Sequence, residues 1–128
     1  MSNLEHAHML LRLAQEDLSV LKGMADANVF PTRVFGFHAQ QAVEKAIKAW
    51  LSARNLAYPK IHDLESLASL LRDNQIPLPE QFIFLLTLTD FAVQFRYESY
   101  EEYKGGFDRG AVTGLVEDFL IHVQGICR

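Results

Sequence analysis

The sequence predicts an all-α protein folded as an up-and-down antiparallel bundle of four long helices and one short helix. Two observations lead to this prediction. Apolar residues recur at three- and four-residue spacing between breaks that contain Pro or Gly, and no stretch alternates apolar and polar residues long enough to indicate a strand. With 128 residues, of which 49% are hydrophobic and 22% charged, the chain can bury one core, so we expect a single domain over residues 1–128.

The first two predicted helices are long. The first extends from about Leu4 to Ala27, with its apolar residues on one face. Pro31 precedes the second helix, for which Thr32 is the predicted N-cap, because a threonine hydroxyl can accept a hydrogen bond from the first turn. This helix then continues to about Asn55.

The remaining predicted helices are one short and two long. The short third helix has Asp63 in its first turn, where a negative charge is favourable. The fourth spans roughly Glu80 to Tyr97 and is apolar on most of its circumference, which is typical of a helix that is central in a bundle or covered by another subunit. The fifth is predicted to start at Asp108.

Composition excludes several function classes. The net charge of −4 argues against a broad, non-specific grip on nucleic acid, and the single Cys127 excludes an intramolecular disulfide. The five histidines show no metal-ligand spacing and no Gly-rich phosphate loop follows a strand, so we predict neither a metal nor a cofactor. The N-terminus lacks a signal-peptide pattern and the most apolar run is too short to cross a bilayer, so we expect a cytoplasmic protein with no membrane partner.

Positive charge is concentrated in the second predicted helix. On a helical wheel, five of its polar residues fall within about 80° of one another. We name this face the polar strip, and it consists of His38, Gln41, Lys45, Lys48 and Ser52. Two interpretations are open: a solvated face, or a surface that faces a cleft or a partner subunit.

Arg96 lies in an otherwise apolar sector of the fourth predicted helix. A buried guanidinium requires an anionic or strongly accepting partner. That partner is either structural, such as Asp90 or a backbone carbonyl, or a phosphate, whose oxygens match the planar guanidinium in two-point geometry.

Three segments resemble the HEPN domain family. Residues 37–51, FHAQQAVEKAIKAWL, resemble the signature helix of the family. His62-Asp63-Leu64 is similar to the His-Asp-Leu at the start of its next helix, and Arg96-Tyr97 is similar to the Arg-Tyr that ends its following long helix. Because the three segments occur in the family's order, the chain is identified as a member over nearly its whole length.

The resemblance implies a helical bundle that commonly dimerises and leaves a polar cleft between its subunits. Many members are paired with a minimal nucleotidyltransferase in toxin–antitoxin systems, and others are metal-independent ribonucleases. The ribonuclease motif is Arg, a short spacer and then His, and Arg96 matches its arginine. The positions where the histidine is expected hold Glu101, Glu102 and Tyr103. Carboxylates and phenols are poorly matched to proton transfer near neutral pH, so the motif does not predict cleavage by the isolated protein.

Tyrosines follow Arg96 at three-residue spacing amid acidic residues. In some HEPN proteins a tyrosine near the arginine is modified with nucleotide by the partner enzyme, so the resemblance makes Tyr100 and Tyr103 candidate modification sites. The alternative is a solvated, acidic helix end in which the aromatic rings pack.

The sequence as a whole predicts a HEPN-type binding module for a nucleotide or RNA that acts with a nucleotidyltransferase partner and forms a homodimer. The residues predicted to contact phosphates are His38, Gln41, Lys45 and Arg96. A first alternative is a metal-independent ribonuclease toxin in which Arg96 acts with a displaced histidine, His38. A second is a purely structural dimer whose polar helix face is satisfied across the interface.

Overall fold

The computed structural model describes residues 1–94 and 108–128, and it confirms the all-α prediction, since these residues form helices and no strand. The elements are α1 (Asn3–Gly23), α2 (Thr32–Ala53), α3 (Leu64–Asp73), a 3₁₀ helix (Glu80–Leu88), α4 (Thr89–Gln94) and α5 (Arg109–Ile126).

Helix α2 is the centre of the bundle. It packs against α1, α3, the 3₁₀ helix, α4 and α5, and none of its residues from 34 to 53 is fully exposed. Helix α1 runs antiparallel to it, because Asn3 Nδ2 donates to Asn55 Oδ1 at 3.0 Å at one end, while Asp17 contacts His38 further along. Neighbouring elements therefore cover α2 on most sides, and one side of the helix stays half-exposed.

Helix α5 also lies antiparallel to α1. Lys22 Nζ donates to Glu117 Oε2 at 2.7 Å, and His8 Nε2 lies 2.6 Å from the carbonyl oxygen of Cys127. None of the helices in the described ranges has the length and hydropathy of a membrane span. The large, fully buried side chains include Phe35, Ile47, Leu51, Leu85, Phe119 and Leu120.

Three helices begin at side-chain caps. The side chains of Ser2, Asp63 and Asp108 accept hydrogen bonds from backbone N–H groups in the first turns of α1, α3 and α5. Helix α2 differs, and the prediction of Thr32 as its N-cap was wrong. Thr32 is the first helical residue and Pro31, with a φ of −60°, is the N-cap without a side-chain hydrogen bond. The Thr32 hydroxyl instead accepts from the Arg109 guanidinium at 3.4 Å.

The first two helices end earlier than predicted. Helix α1 ends at Gly23, because the segment that follows is held by the buried Arg109 of α5. Its guanidinium donates to the carbonyl oxygens of Met24 at 2.8 Å and Phe30 at 2.5 Å. Helix α2 ends at Ala53, and Asn55 takes a positive φ of 60°, which a helix cannot continue.

The fourth element corrects the prediction of one long α-helix from Glu80 to Tyr97. Residues 80–88 form a 3₁₀ helix and α4 begins only at residue 89; it is described over 89–94, and residues 95–97 lie outside the described part of the chain. Phe82, Leu85 and Leu88 are all buried, and their three-residue spacing matches the 3₁₀ repeat, which places them in one row. The bundle therefore has three long helices among the described residues.

Helices α2 and α4 meet at a glycine. A Cβ atom added at Gly36 would overlap the ring of the buried Phe91. The absence of a side chain at Gly36 thus allows α4 to approach α2 closely, and it fixes where α4 crosses α2.

Candidate functional site

The polar strip lies on the half-exposed side of α2, between α1 and the segment that precedes α3. His38, Gln41 and Lys45 are half-buried there, whereas the Lys48 side chain is only 12% exposed and Ser52 is buried. The structure therefore brings together three of the four predicted phosphate-binding residues on one helix face.

Asp17 of α1 pairs with two residues of the polar strip. Its Oδ1 lies 3.2 Å from His38 Nδ1, and its Oδ2 accepts from Lys45 Nζ at 2.6 Å. Asp17 is buried, and a buried carboxylate is stable only with partners of this kind. The positive charge predicted for this face is therefore partly neutralised by an acidic residue of the neighbouring helix.

Glu44 forms a similar cluster on the other side of the polar strip. Its Oε1 accepts from Gln40 Nε2 at 2.9 Å and lies 2.9 Å from His62 Nδ1, while its Oε2 accepts from Lys48 Nζ at 3.0 Å. Burial raises the pKa of Glu44, but the hydrogen bonds from these three partners outweigh burial and leave the pKa below its ordinary value. The Glu44 carboxylate is ionised at neutral pH and balances the charge of Lys48.

Each of the two buried carboxylates thus holds one lysine and one histidine. An ionised carboxylate only accepts hydrogen bonds, so Nδ1 carries the hydrogen in both His38 and His62. When the rings are neutral, the lone pair is therefore on Nε2. The arrangement fixes the tautomer of two imidazoles, and the His62 side chain is 67% exposed, so its ring can meet a ligand.

A pair of glutamines connects the Glu44 cluster to the polar strip. Gln40 is fully buried, and its Nε2 donates to Glu44 Oε1 and, at 3.2 Å, to the carbonyl oxygen of His62. Gln41 Nε2 donates in turn to Gln40 Oε1 at 2.8 Å. The half-buried Gln41 is consequently held in one orientation by a side chain from the core.

Tyr58 packs beside the Glu44 cluster. Its hydroxyl lies 2.8 Å from His6 Nε2, and Lys48 Nζ lies 5.4 Å from the ring centroid, within the range of a cation–π contact. Burial raises the pKa of Tyr58 although a hydrogen bond with Ser52 opposes the rise, so the phenol is neutral at physiological pH. Tyr58 therefore contributes hydrogen bonding and an aromatic face, not charge.

Asp17, Glu44 and His62 belong to this site although the sequence did not predict them as members. A signal for Glu44 exists in the sequence, since it lies one turn from both Gln40 and Lys48. The role of Asp17 depends on how α1 is aligned against α2. The spacing of apolar residues within either helix does not predict this alignment.

The other predicted site residues, Arg96, Tyr100 and Tyr103, lie outside the described residues. In the part of the chain that the structure describes, no group of three or more His, Cys, Asp or Glu side chains is arranged to hold a metal ion.

The fold and the site define a helical bundle with an ion-paired polar strip on its central helix. The chain belongs to the HEPN domain family, whose model matches residues 7–120. It is also similar to a Methanocaldococcus jannaschii protein named "Putative toxin MJ1304", with 38% identity over 56 residues. That match covers 44% of this chain and spans 36% of the archaeal protein. No solved structure matches the chain significantly.

Proposed function

We propose that this HEPN chain is the toxin-type member of a two-component toxin–antitoxin module, that it works in the cytoplasm and that its partner is a minimal nucleotidyltransferase. Membership of the HEPN family and similarity to a protein named as a toxin support this proposal. Co-expression tests it: the chain alone should slow bacterial growth, and a nucleotidyltransferase encoded beside it should restore growth. Normal growth with the chain alone would contradict a toxin role.

We further propose that the module binds a nucleotide or RNA at the polar strip. The observation that carries this proposal is the arrangement of His38 and Lys45, which the shared carboxylate of Asp17 holds side by side at the surface. Lys45 has three N–H donors and gives one to Asp17, and His38 Nε2 is directed away from that carboxylate. Gln41 lies between them in sequence, and Arg96, which lies outside the described residues, is the fourth phosphate contact that the sequence predicts.

Asp17 limits the strength of such a site. A phosphate shares Lys45 and His38 with a carboxylate, and the two anions repel each other. A few charge-assisted hydrogen bonds, opposed by this repulsion and by the loss of ligand freedom, correspond to binding of about micromolar to millimolar strength. Added salt should weaken the binding, because exposed charges are screened over about 8–10 Å.

Calorimetric titration with ATP, GTP and a short RNA tests the site. Lys45→Ala, His38→Ala and Arg96→Ala should each weaken binding, whereas Arg54→Ala, an exposed arginine beyond the end of α2, is the matched control and should not. Asp17→Asn should strengthen binding several-fold, because it removes the competing negative charge. No heat with any ligand, or an affinity that is indifferent to Lys45 and Arg96, would contradict the proposal.

We also propose that the chain forms a symmetric homodimer that buries part of α2 or of the fourth predicted helix, the 3₁₀–α4 segment. Ile83 and Phe84 support this, since they expose 47% and 53% of their surfaces on the 3₁₀ helix, and adjacent exposed apolar side chains are typical of interfaces. Sedimentation should give a dimer at micromolar concentration and a monomer for Phe84→Ser. Ile121→Ser, which changes an equally exposed residue of α5, is the control and should remain a dimer.

A metal-independent ribonuclease is the second candidate function, with His38 in place of the histidine absent after Arg96. It is favoured by the contact between His38 Nδ1 and Asp17, since a carboxylate that fixes the tautomer of an imidazole is the arrangement found in catalytic histidines. We nevertheless expect the purified chain to cleave single-stranded RNA no faster than Arg96→Ala. Cleavage that is lost in both Arg96→Ala and His38→Ala would establish the ribonuclease instead.

A further inference from the structure

We infer that Gln41 pairs with the edge of a nucleobase through an amide that is held in place by Gln40. This inference rests on the proposed nucleotide or RNA ligand, and it assigns the base, not the phosphate, to the centre of the polar strip. The expected ligand is a nucleobase that presents one hydrogen-bond donor next to one acceptor, so that each can pair with one group of the Gln41 amide.

Two acceptors fix the orientation of the Gln40 amide. Its Nε2 lies within hydrogen-bond distance of Glu44 Oε1 and of the carbonyl oxygen of His62, and both of those atoms only accept. The amide nitrogen of Gln40 must therefore face them, and the amide oxygen must face the opposite way. Because Gln40 is fully buried, water cannot replace these two acceptors, and the amide keeps this orientation.

The orientation of Gln41 follows from that of Gln40. The buried Gln40 Oε1 needs a donor, and Gln41 Nε2 supplies it at 2.8 Å. One N–H of Gln41 is used in this way. Its Oε1 and its second N–H have no partner among the residues that the structure describes, and the side chain is half-exposed.

An amide held in this way is complementary to a base edge. Its free oxygen accepts and its free N–H donates, so it can form two hydrogen bonds with neighbouring groups such as the amino group and ring nitrogen of adenine. Preorganisation matters because a glutamine that is free in solution loses side-chain entropy when it binds, whereas Gln41 is already ordered by the core.

The charges near Gln41 also suit an uncharged base. Lys45 is paired with Asp17 at 2.6 Å and Lys48 with Glu44 at 3.0 Å, so two ammonium groups are balanced by two carboxylates. The surface around Gln41 is therefore polar without net charge while the histidines are neutral. Such a surface offers directed hydrogen bonds to a base but little general attraction to an anion.

The substitution Gln41→Glu gives a sharp test, because a carboxylate accepts on both oxygens and no longer donates. Guanine can meet two acceptors with its N1–H and N2–H, whereas adenine, cytosine and uracil each place an acceptor against one carboxylate oxygen. The added negative charge repels the phosphates of all four nucleotides alike. The measured quantity is therefore the ratio of affinities for GTP and ATP, from calorimetric titrations with ATP, GTP, CTP and UTP.

We expect Gln41→Glu to raise the GTP-to-ATP affinity ratio by about tenfold, the size of effect found for one good bidentate contact. Gln124→Glu, which makes the same change at an exposed position of α5, should leave the ratio unchanged. Gln41→Leu should weaken binding of all four nucleotides. Both substitutions at position 41 also leave the buried Gln40 Oε1 without its donor, so thermal unfolding of each variant checks that the bundle is still folded.

The outcomes separate this inference from the proposed function. If no nucleotide binds the unmodified chain, both are overturned. If nucleotides bind, and Lys45→Ala weakens them while Gln41→Glu changes all four affinities by the same factor, the ligand site stands and base recognition by Gln41 is overturned. A selective gain for GTP supports both.

Discussion

His62 Nδ1 lies 2.9 Å from Glu44 Oε1, so a histidine whose side chain is 67% exposed is held by a carboxylate whose side chain is 6% exposed. This bond joins the segment before α3 to the central helix. The buried Glu44 carboxylate therefore has partners both on α2 and in the segment before α3.

Glu44→Gln should destabilise the protein by about 3 kcal/mol at pH 7, because it leaves Lys48 without its buried counter-ion. The pKa of Glu44 is lowered in the folded state, so its stabilising contribution is complete above the ordinary value of 4.5 and is lost as pH falls below it. Urea unfolding from pH 7 to pH 3 measures this. The difference between the parent and the variant should shrink below about pH 4.5.

The control for that substitution is Glu65→Gln. Glu65 lies 3.7 Å from Arg72 in an exposed pair, and such pairs contribute about 0–1 kcal/mol. Equal losses of stability for Glu44→Gln and Glu65→Gln would mean that burial of the Glu44 cluster has no energetic consequence.

Gly36→Ala should lower the free energy of unfolding by about 1–3 kcal/mol, because the new Cβ would overlap the Phe91 ring and force α4 away from α2. Gly114→Ala is the matched control on α5. Nothing lies within 4 Å of a Cβ at Gly114, so alanine there should stabilise the helix by about 0.5–1 kcal/mol. Opposite signs in denaturant unfolding are the expected result, and two equal changes would contradict the close contact.

Arg109→Met should destabilise the bundle by about 2–4 kcal/mol. It leaves the carbonyl oxygens of Met24 and Phe30 without their charged donor. Arg72→Met, at an exposed arginine of α3, should change stability by less than about 1 kcal/mol. Hydrogen exchange should localise the loss to residues 24–31, and protection there that is unchanged in Arg109→Met would be the contrary result.

Cys127 should react slowly with iodoacetamide in the folded protein. Burial raises the pKa of its thiol above the ordinary value of 9.0, against a smaller opposing effect of the Arg54 charge, so the thiolate is scarce at pH 8. The rate should rise with pH beyond 9 and should increase sharply in concentrated guanidinium chloride. Equal rates in the folded and unfolded protein at pH 8 would show that the thiol is not shielded.

The starts of α3 and α5 could be predicted from the sequence because their chemistry is local, whereas the local prediction of Thr32 as a cap was wrong. Asp63 and Asp108 are helix starts because an aspartate side chain can accept from its own first turn, which neighbouring residues alone decide. The end of α1 could not be predicted in this way, since it depends on Arg109, which is more than 80 residues away in the chain.

The site was predicted in part for the same reason. The polar strip follows from the 3.6-residue repeat of α2, so the shared face of His38, Gln41 and Lys45 could be read from spacing. Its neutralisation could not, because Asp17 belongs to another helix and meets Lys45 only when the bundle is assembled. A local excess of lysine in a sequence therefore does not establish a basic surface.

The 3₁₀ helix has a consequence for distances along the chain. Its nine residues extend about 18 Å at roughly 2.0 Å per residue, against about 13.5 Å for the same residues in an α-helix. At its far end Thr89 Oγ1 accepts the backbone N–H of Leu64 at 2.8 Å, in the first turn of α3. Substitutions that favour α-helix in residues 80–88 would shorten this spacer by about 4.5 Å and draw the threonine away from α3. A more regular helix in residues 80–88 would then destabilise the protein, because the length of this segment is what keeps Thr89 in contact with α3.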